Sequence, residues 1–147
     1  MPSHLRLSVG SNLSPATGQN PEAIRLTNAG SRCVLDGYPL IQFADADGVA
    51  IPFALSQTGD QMVTGTSGHP MVIERGGSAW IVLNKYRCDL GDRTAVETIE
   101  VRLPGAGAVG AVAARDSGWA YCGSGDPGST VHVSPFEPRL LAALRQH

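Results

Sequence analysis

Lysine is almost missing from this sequence: Lys85 stands alone against ten arginines. Charge of either sign is scarce. Asp, Glu, Lys and Arg together reach 16% of 147 residues, with a net charge of -2, where about 25% charged residues is usual. A nucleic-acid partner would demand a basic patch, so that class is set aside. No run of about 18 apolar residues occurs, which excludes a transmembrane helix. Cysteine is limited to Cys33, Cys88 and Cys122 with no C-x-x-C pair, whereas zinc ligands cluster at short spacing. The segment Met1-Pro2-Ser3-His4-Leu5-Arg6-Leu7 shows no basic stretch leading into an apolar one. An exported protein would therefore require a leader missing from this chain.

What is present is a foldable domain rich in turns. Apolar residues make up 42% of the chain, with 18 Gly and 10 Pro, enough for one self-sufficient core. Apolar residues alternate with polar ones over His4–Val9, and Glu22–Asn28 reads as a second strand. Asp36-Gly37 separates Cys33–Leu35 from Pro39–Ala44, and Asp47-Gly48 separates that run from Val49–Leu55. Asp-Gly between apolar runs signals a hairpin. Gly76-Gly77, between Pro70–Glu74 and Ser78–Asn84, reads as a third. The continuous run Ala79-Trp80-Ile81-Val82-Leu83 predicts a central strand buried on both faces. Gln61–Thr64, Val96–Leu103, Val109–Ala114, Gly118–Cys122 and Thr130–Pro135 complete roughly nine to eleven short strands, the pattern of an all-β antiparallel sandwich of immunoglobulin-like or Greek-key type. The expected sandwich spans 3–136. Pro138 and the leucines after it predict a short C-terminal helix over 137–147, packed on the sandwich or extending from it.

Constellations that could carry chemistry are thin. Gly65-Thr66-Ser67-Gly68-His69 departs from the G-x-S-x-G elbow of a hydrolase and reads as a turn. Asp45-Ala46-Asp47-Gly48 opens like a calcium loop but lacks the distal ligands. Cys122, His132 and Met62 or Met71 lack the short spacing of a copper site. The stretch Gly123–Ser129 has no G-K-[ST] and reads as a mobile loop. Arg87, Asp89, Asp92 and Arg93 read as rim charges. No catalytic residue, metal or cofactor is assigned. A weak candidate binding surface consists of Trp119, Tyr121 and His132, with His132 facing outward between Val131 and Val133; the alternative is that the two aromatics close the core. An odd cysteine count fits either one bridge plus an orphan in a secreted domain or three reduced thiols in a cytosolic one.

Several strings occur together in order: Gly10-Ser11…Gly18, Leu26-Thr27-Asn28-x-Gly30, Cys33-Val34-Leu35-Asp36-Gly37-Tyr38-Pro39, Gly48, Gly76-Gly77-Ser78-Ala79, Cys88, Val101-Arg102-Leu103-Pro104-Gly105, and Val133-Ser134-Pro135-Phe136. Over about residues 3–136 the sequence resembles the domain-of-unknown-function family numbered 4232, found mainly in actinobacterial secreted proteins and lipoproteins. The resemblance implies an extracytoplasmic, cell-envelope or secreted β-sandwich with no established activity. Family members carry a further cysteine ahead of the first strand, where Met1-Pro2-Ser3 stands here. On that resemblance Cys33 is paired with Cys88, and Cys122 is left as the unpaired thiol. The resulting expectation is a non-catalytic binding module for an unidentified envelope or extracellular ligand or protein. The alternatives are a structural or assembly component of the envelope, or a hydrolase built on loops.

Overall fold

The computed structural model describes residues 5–9, 19–57, 63–64, 70–86, 94–103, 107–113, 119–123 and 126–144. Its strands are β1 (Leu5–Val9), β2 (Gln19–Asn28), β3 (Cys33–Leu35), β4 (Leu40–Ala44), β5 (Ala50–Ile51), β6 (Ala54–Ser56), β7 (Met71–Ile73), β8 (Ser78–Tyr86), β9 (Thr94–Ala95), β10 (Thr98–Leu103), β11 (Gly107–Ala113), β12 (Ala120–Tyr121) and β13 (Thr130–Val133). A five-stranded sheet runs β1-β2-β8-β13-β6 and a four-stranded sheet runs β11-β10-β4-β5. Two ribbons, β3–β7 and β9–β12, complete the architecture. Pairing is antiparallel except where β6 lies parallel to β13.

Alternation within the strands builds the core. Ile24, Leu26, Ile81, Leu83, Val131 and Val133 come from the larger sheet, and Ile41, Phe43, Ile99, Val101 and Val112 from the smaller. They share one buried cluster, joined by Cys33, Leu35 and Ile73 of the β3–β7 ribbon. Val49–Leu55, expected as one strand, breaks into β5 and β6, which belong to different sheets. Pro52 sits at the break, where its missing N–H costs no ladder bond. β1 lies beside β11, with Leu7 against the bare backbone of Gly110.

β8 is buried on both faces, as its apolar run predicts. Ile81 and Leu83 point into the main core, while Val82 on the opposite face joins Ala23, Val63 and Ala143 in a second cluster. That second face is covered by the segment after β13. Trp80 and Glu137 exchange backbone bonds of 2.7 and 2.9 Å, and Thr64 N–H donates to the Ala143 carbonyl. The helix within this segment, α1 (Leu140–Ala143), is a single turn. It is shorter than the 137–147 expected, because Glu137 is held extended against Trp80; Arg145, Gln146 and His147 lie outside the described residues. Trp80 is therefore half-buried on the outer face, beneath the Arg25 guanidinium at 5.7 Å, rather than in the main core.

One of the three expected hairpins forms. Asp47-Gly48 joins β4 to β5, with Gly48 at φ +79° and Asp45 Oδ1 accepting from the N–H groups of Asp47 and Val49. At Asp36-Gly37 and Gly76-Gly77 the flanking strands do not pair with each other: β3 pairs with β7, β4 with β10 and β5, and β8 with β2 and β13. Both turns are crossings between sheets. A turn dipeptide reports a local φ > 0 and says nothing about which strand comes alongside.

The crossing at Gly76-Gly77 is tied to the end of β2 by Asn28, which is 1% exposed. Its N–H donates to Gly77 O at 2.9 Å and its carbonyl accepts from Gly76 N at 2.7 Å. Its Nδ2 donates to Ser31 O and Ile73 O, and its Oδ1 accepts from Gly30 N. Asn28→Ala leaves the buried Ile73 carbonyl and Gly30 N–H and the part-buried Ser31 carbonyl short of a partner, at a cost of about 3 kcal/mol. Asn28→Asp keeps the Gly30 bond but sets a carboxylate against two carbonyl oxygens. Urea titration at neutral pH should rank wild type above Ala, and Ala above Asp; an Asp variant as stable as wild type contradicts this account.

Candidate functional site

Four of the eight aromatic residues gather at one place. Phe43 meets Phe53 edge-on at 4.7 Å, Phe53 meets Tyr121 edge-on at 5.2 Å, and Trp119 lies 5.8 Å from Phe43. Trp119 is 2% exposed and belongs to the main core; its carbonyl accepts from Val96 N–H beside the β9–β12 ribbon. It is a packing residue, not a ligand platform. Tyr121 is half-buried against the same cluster. His132 faces the other way, because its neighbours Val131 and Val133 point into the core. The candidate surface of Trp119, Tyr121 and His132 therefore does not assemble.

The cysteines also depart from expectation. Cys33 is a buried free thiol in the core, whereas Cys122 is disulfide-bonded. The expected Cys33–Cys88 bridge is not made, and Cys122 is not the unpaired thiol. Cys88 lies outside the described residues. The inward position of Cys33 in the pattern of β3 explains its state: Cys33 and Leu35 are buried and Val34 between them is exposed. Burial pushes the Cys33 thiol above its ordinary pKa. A copper site using Cys122 and His132 is ruled out on these placements.

Other polar groups serve turns. Asp45 is occupied by two backbone N–H groups and does not begin a calcium loop. Asp126 caps a 3-10 turn over Pro127–Ser129 by accepting from Gly128 N–H, and Ser129 Oγ donates to Gly123 O. The described part of the expected mobile loop is thus a buried, capped turn. The strings around Ser67, His69 and Met62, and Arg87, Asp89, Asp92 and Arg93, lie outside the described residues. No group of three or more His, Cys, Asp or Glu able to hold a metal occurs among the described residues, and no described helix is long and apolar enough to cross a membrane.

A concave feature among the described residues lies on the outward face of the four-stranded sheet. Register places Ala50, Ala44, Thr98 and Ala113 in one row, and Gln42, Glu100 and Ala111 in the next. Gln42, Ala44, Ala50, Thr98, Glu100 and Ala111 of these rows, with Phe43 and Gly48, surround a depression of about 160 Å³. Small-molecule pockets run to about 300–1,000 Å³, so this one fits a single side chain. Its floor is methyl-lined, and its polar groups are the Gln42 amide, the Thr98 hydroxyl and the Glu100 carboxylate, which accepts from Arg102 Nε. Leu40, 49% exposed, continues the same face opposite Arg102. The alternation T-I-E-V-R-L carried the signal for this face, but alanine and threonine draw no attention in a sequence.

Lys85 is the other residue that motif reading passes over. Strand alternation puts it on the side of Ile81 and Leu83, and it is 1% exposed with Nζ donating to Tyr86 O at 2.8 Å. A lysine is rarely buried so completely. Glu22 lies one step diagonally away on β2, opposite Leu83.

The family model for a domain of unknown function (DUF4232) matches residues 2–137. The chain belongs to this DUF4232 family. No curated protein and no solved structure matches it. In this DUF4232 domain the strings that carry the resemblance meet one another in the fold. Gly37 O accepts from Phe136 N–H at 3.1 Å, and Tyr38 lies close enough to the Glu137 carboxylate for that charge, after burial, to raise its pKa. Ser134 Oγ accepts from Val82 N–H and donates to Pro135 O, while Asn28 and Gly30 form the corner already described. These residues hold the sheets together.

Burial also pushes the half-buried Glu22 carboxyl above its usual range. A raised folded-state pKa means stability is full below the unfolded pKa and falls as pH rises through the folded one. Glu22→Gln removes that loss. Between about pH 4 and pH 7, the unfolding free energy of wild type should decline relative to the variant; parallel profiles in urea titrations across that range reject the assignment.

Proposed function

We propose that this DUF4232 domain is a non-catalytic extracytoplasmic interaction module, an immunoglobulin-like sandwich over 3–136 with a short covering segment after it. The observation that carries the reading is the exposed face of the four-stranded sheet, rich in small residues, whose depression of about 160 Å³ is of a size to seat one side chain. Protein partners are recognised by side chains seated in shallow pockets. The side chains of Asn28, Asp45, Asp126 and Ser134 are committed to backbone partners.

The disulfide at Cys122 supports the compartment, since bridges persist where the surroundings are oxidising. Of three cysteines one is the free Cys33, and this reading gives the remaining Cys88 to Cys122.

A photo-crosslinking residue at Ala111, in protein expressed in its native host, should give a discrete adduct that the same probe at Ala29 does not. Equal labelling at both positions, or none, sinks the interaction reading.

Protein isolated without reductant, denatured and alkylated should take up one label, on Cys33, and three after reduction. Reduction should lower stability by about 4 kcal/mol for a loop of this length, or about 10 °C in Tm. Three labels without reductant would overturn both the pairing and the exported compartment.

A further inference from the structure

We propose that the depression on the four-stranded sheet is a seat for one lysine side chain of a partner protein; this deepens the interaction reading above and rests on it. The seat has two kinds of wall. Ala44, Ala50 and Ala111 line it with methyl groups, and Gln42, Thr98 and Glu100 line it with polar ones. Register sets Glu100 in the middle, with Gln42 directly across on β4 and Ala111 directly across on β11. Lysine is built from the same two parts, an aliphatic stem that covers apolar surface and a charged head that stays with polar groups. Its ammonium carries three donors and no acceptor. The Gln42 amide oxygen, the Thr98 hydroxyl and the Glu100 carboxylate are acceptors.

Competing occupants fail on charge. An apolar side chain would dehydrate the Glu100 carboxylate and the Gln42 amide and give neither a partner. A carboxylate would meet Glu100, together with Asp45 and Asp47 of the turn that contains Gly48. A guanidinium recognises a carboxylate through both oxygens at once, and Glu100 Oε1 already accepts from Arg102 Nε. An ammonium is a point charge and needs one oxygen. Arg102 is the single cation in the sequences of β4, β5, β10 and β11, so Glu100, Asp45 and Asp47 leave this face negative. A second copy of the chain cannot supply the occupant, because Lys85 is its one lysine and is 1% exposed. The lysine belongs to a different protein.

The test is an NMR titration of the isotope-labelled full chain at low ionic strength with Nα-acetyl-lysine N-methylamide, and with the norleucine and arginine compounds of the same form. The lysine compound should shift the Ala44, Ala50, Thr98 and Ala111 signals saturably in the millimolar range, and the norleucine compound should bind about tenfold more weakly. Added salt should weaken the lysine compound. Glu100→Gln should weaken it about tenfold as well, and Ala111→Leu, which fills the depression, should abolish the shifts. Equal binding by the lysine and norleucine compounds, tighter binding by the arginine compound, an affinity unchanged in Glu100→Gln, or no saturable shift overturns the proposal. A discrete crosslinking adduct at Ala111 together with any of these overturns the lysine seat alone, and no adduct overturns the interaction reading with it.

Discussion

β8 is covered on both faces, with only Ser78, Trp80 and Tyr86 partly exposed, and the rest of the chain is arranged around that constraint. A strand reading S-A-W-I-V-L-N-K-Y cannot lie at the surface of a sheet with one wet side, because Val82 would be stranded outward while Ile81 and Leu83 face in. The inward cover is the four-stranded sheet. The outward cover is made of pieces distant in sequence: Val63 and the segment from Glu137 to Leu144. Each piece needs its own anchor, which explains the backbone pairs between Trp80 and Glu137 and between Thr64 and Ala143.

The same demand accounts for where the polar side chains went. The crossings at Gly37 and at Gly76-Gly77, and the exit from β13, leave backbone groups inside that no ladder can satisfy. Asn28 closes one corner, Ser134 bonds the Val82 N–H as the chain leaves β13, and Gly37 O takes the Phe136 N–H. Such groups are held in place, because moving any of them strands a buried donor or acceptor. The family resemblance is therefore a resemblance in how sheets are joined.

Much of this was legible in the residues. Period-two alternation located most strands, the continuous apolar run marked β8 as central, and Val131 and Val133 fixed the direction of His132. What escaped had physical reasons. Asp36-Gly37 and Gly76-Gly77 carry the same local signal as Asp47-Gly48, yet only the last joins paired strands; the partner of a strand is chosen by burial across the whole sheet, not by its turn. Cys33 was assigned to a bridge by analogy, although its place opposite Ile73 in a two-stranded ribbon points it into the core. The depression on the smaller sheet is formed by alanines and a threonine, whose meaning comes from register alone.

The two sheets treat their outer faces in opposite ways, and the contrast bears on function. The five-stranded sheet turns Val82 and Trp80 outward and needs a cover, which the chain supplies itself. The four-stranded sheet turns out Ala44, Ala50, Thr98 and Ala111, side chains small enough to leave bare without an apolar penalty. A face selected only for solubility would carry long charged side chains, and here the outward charges on β10 are Glu100 and Arg102, spent on each other. A short-chained, nearly neutral face lets another backbone approach closely at little entropic cost, since few rotamers are frozen on contact. In a chain with so little charge to spare, the small residues of that face leave it open to close approach.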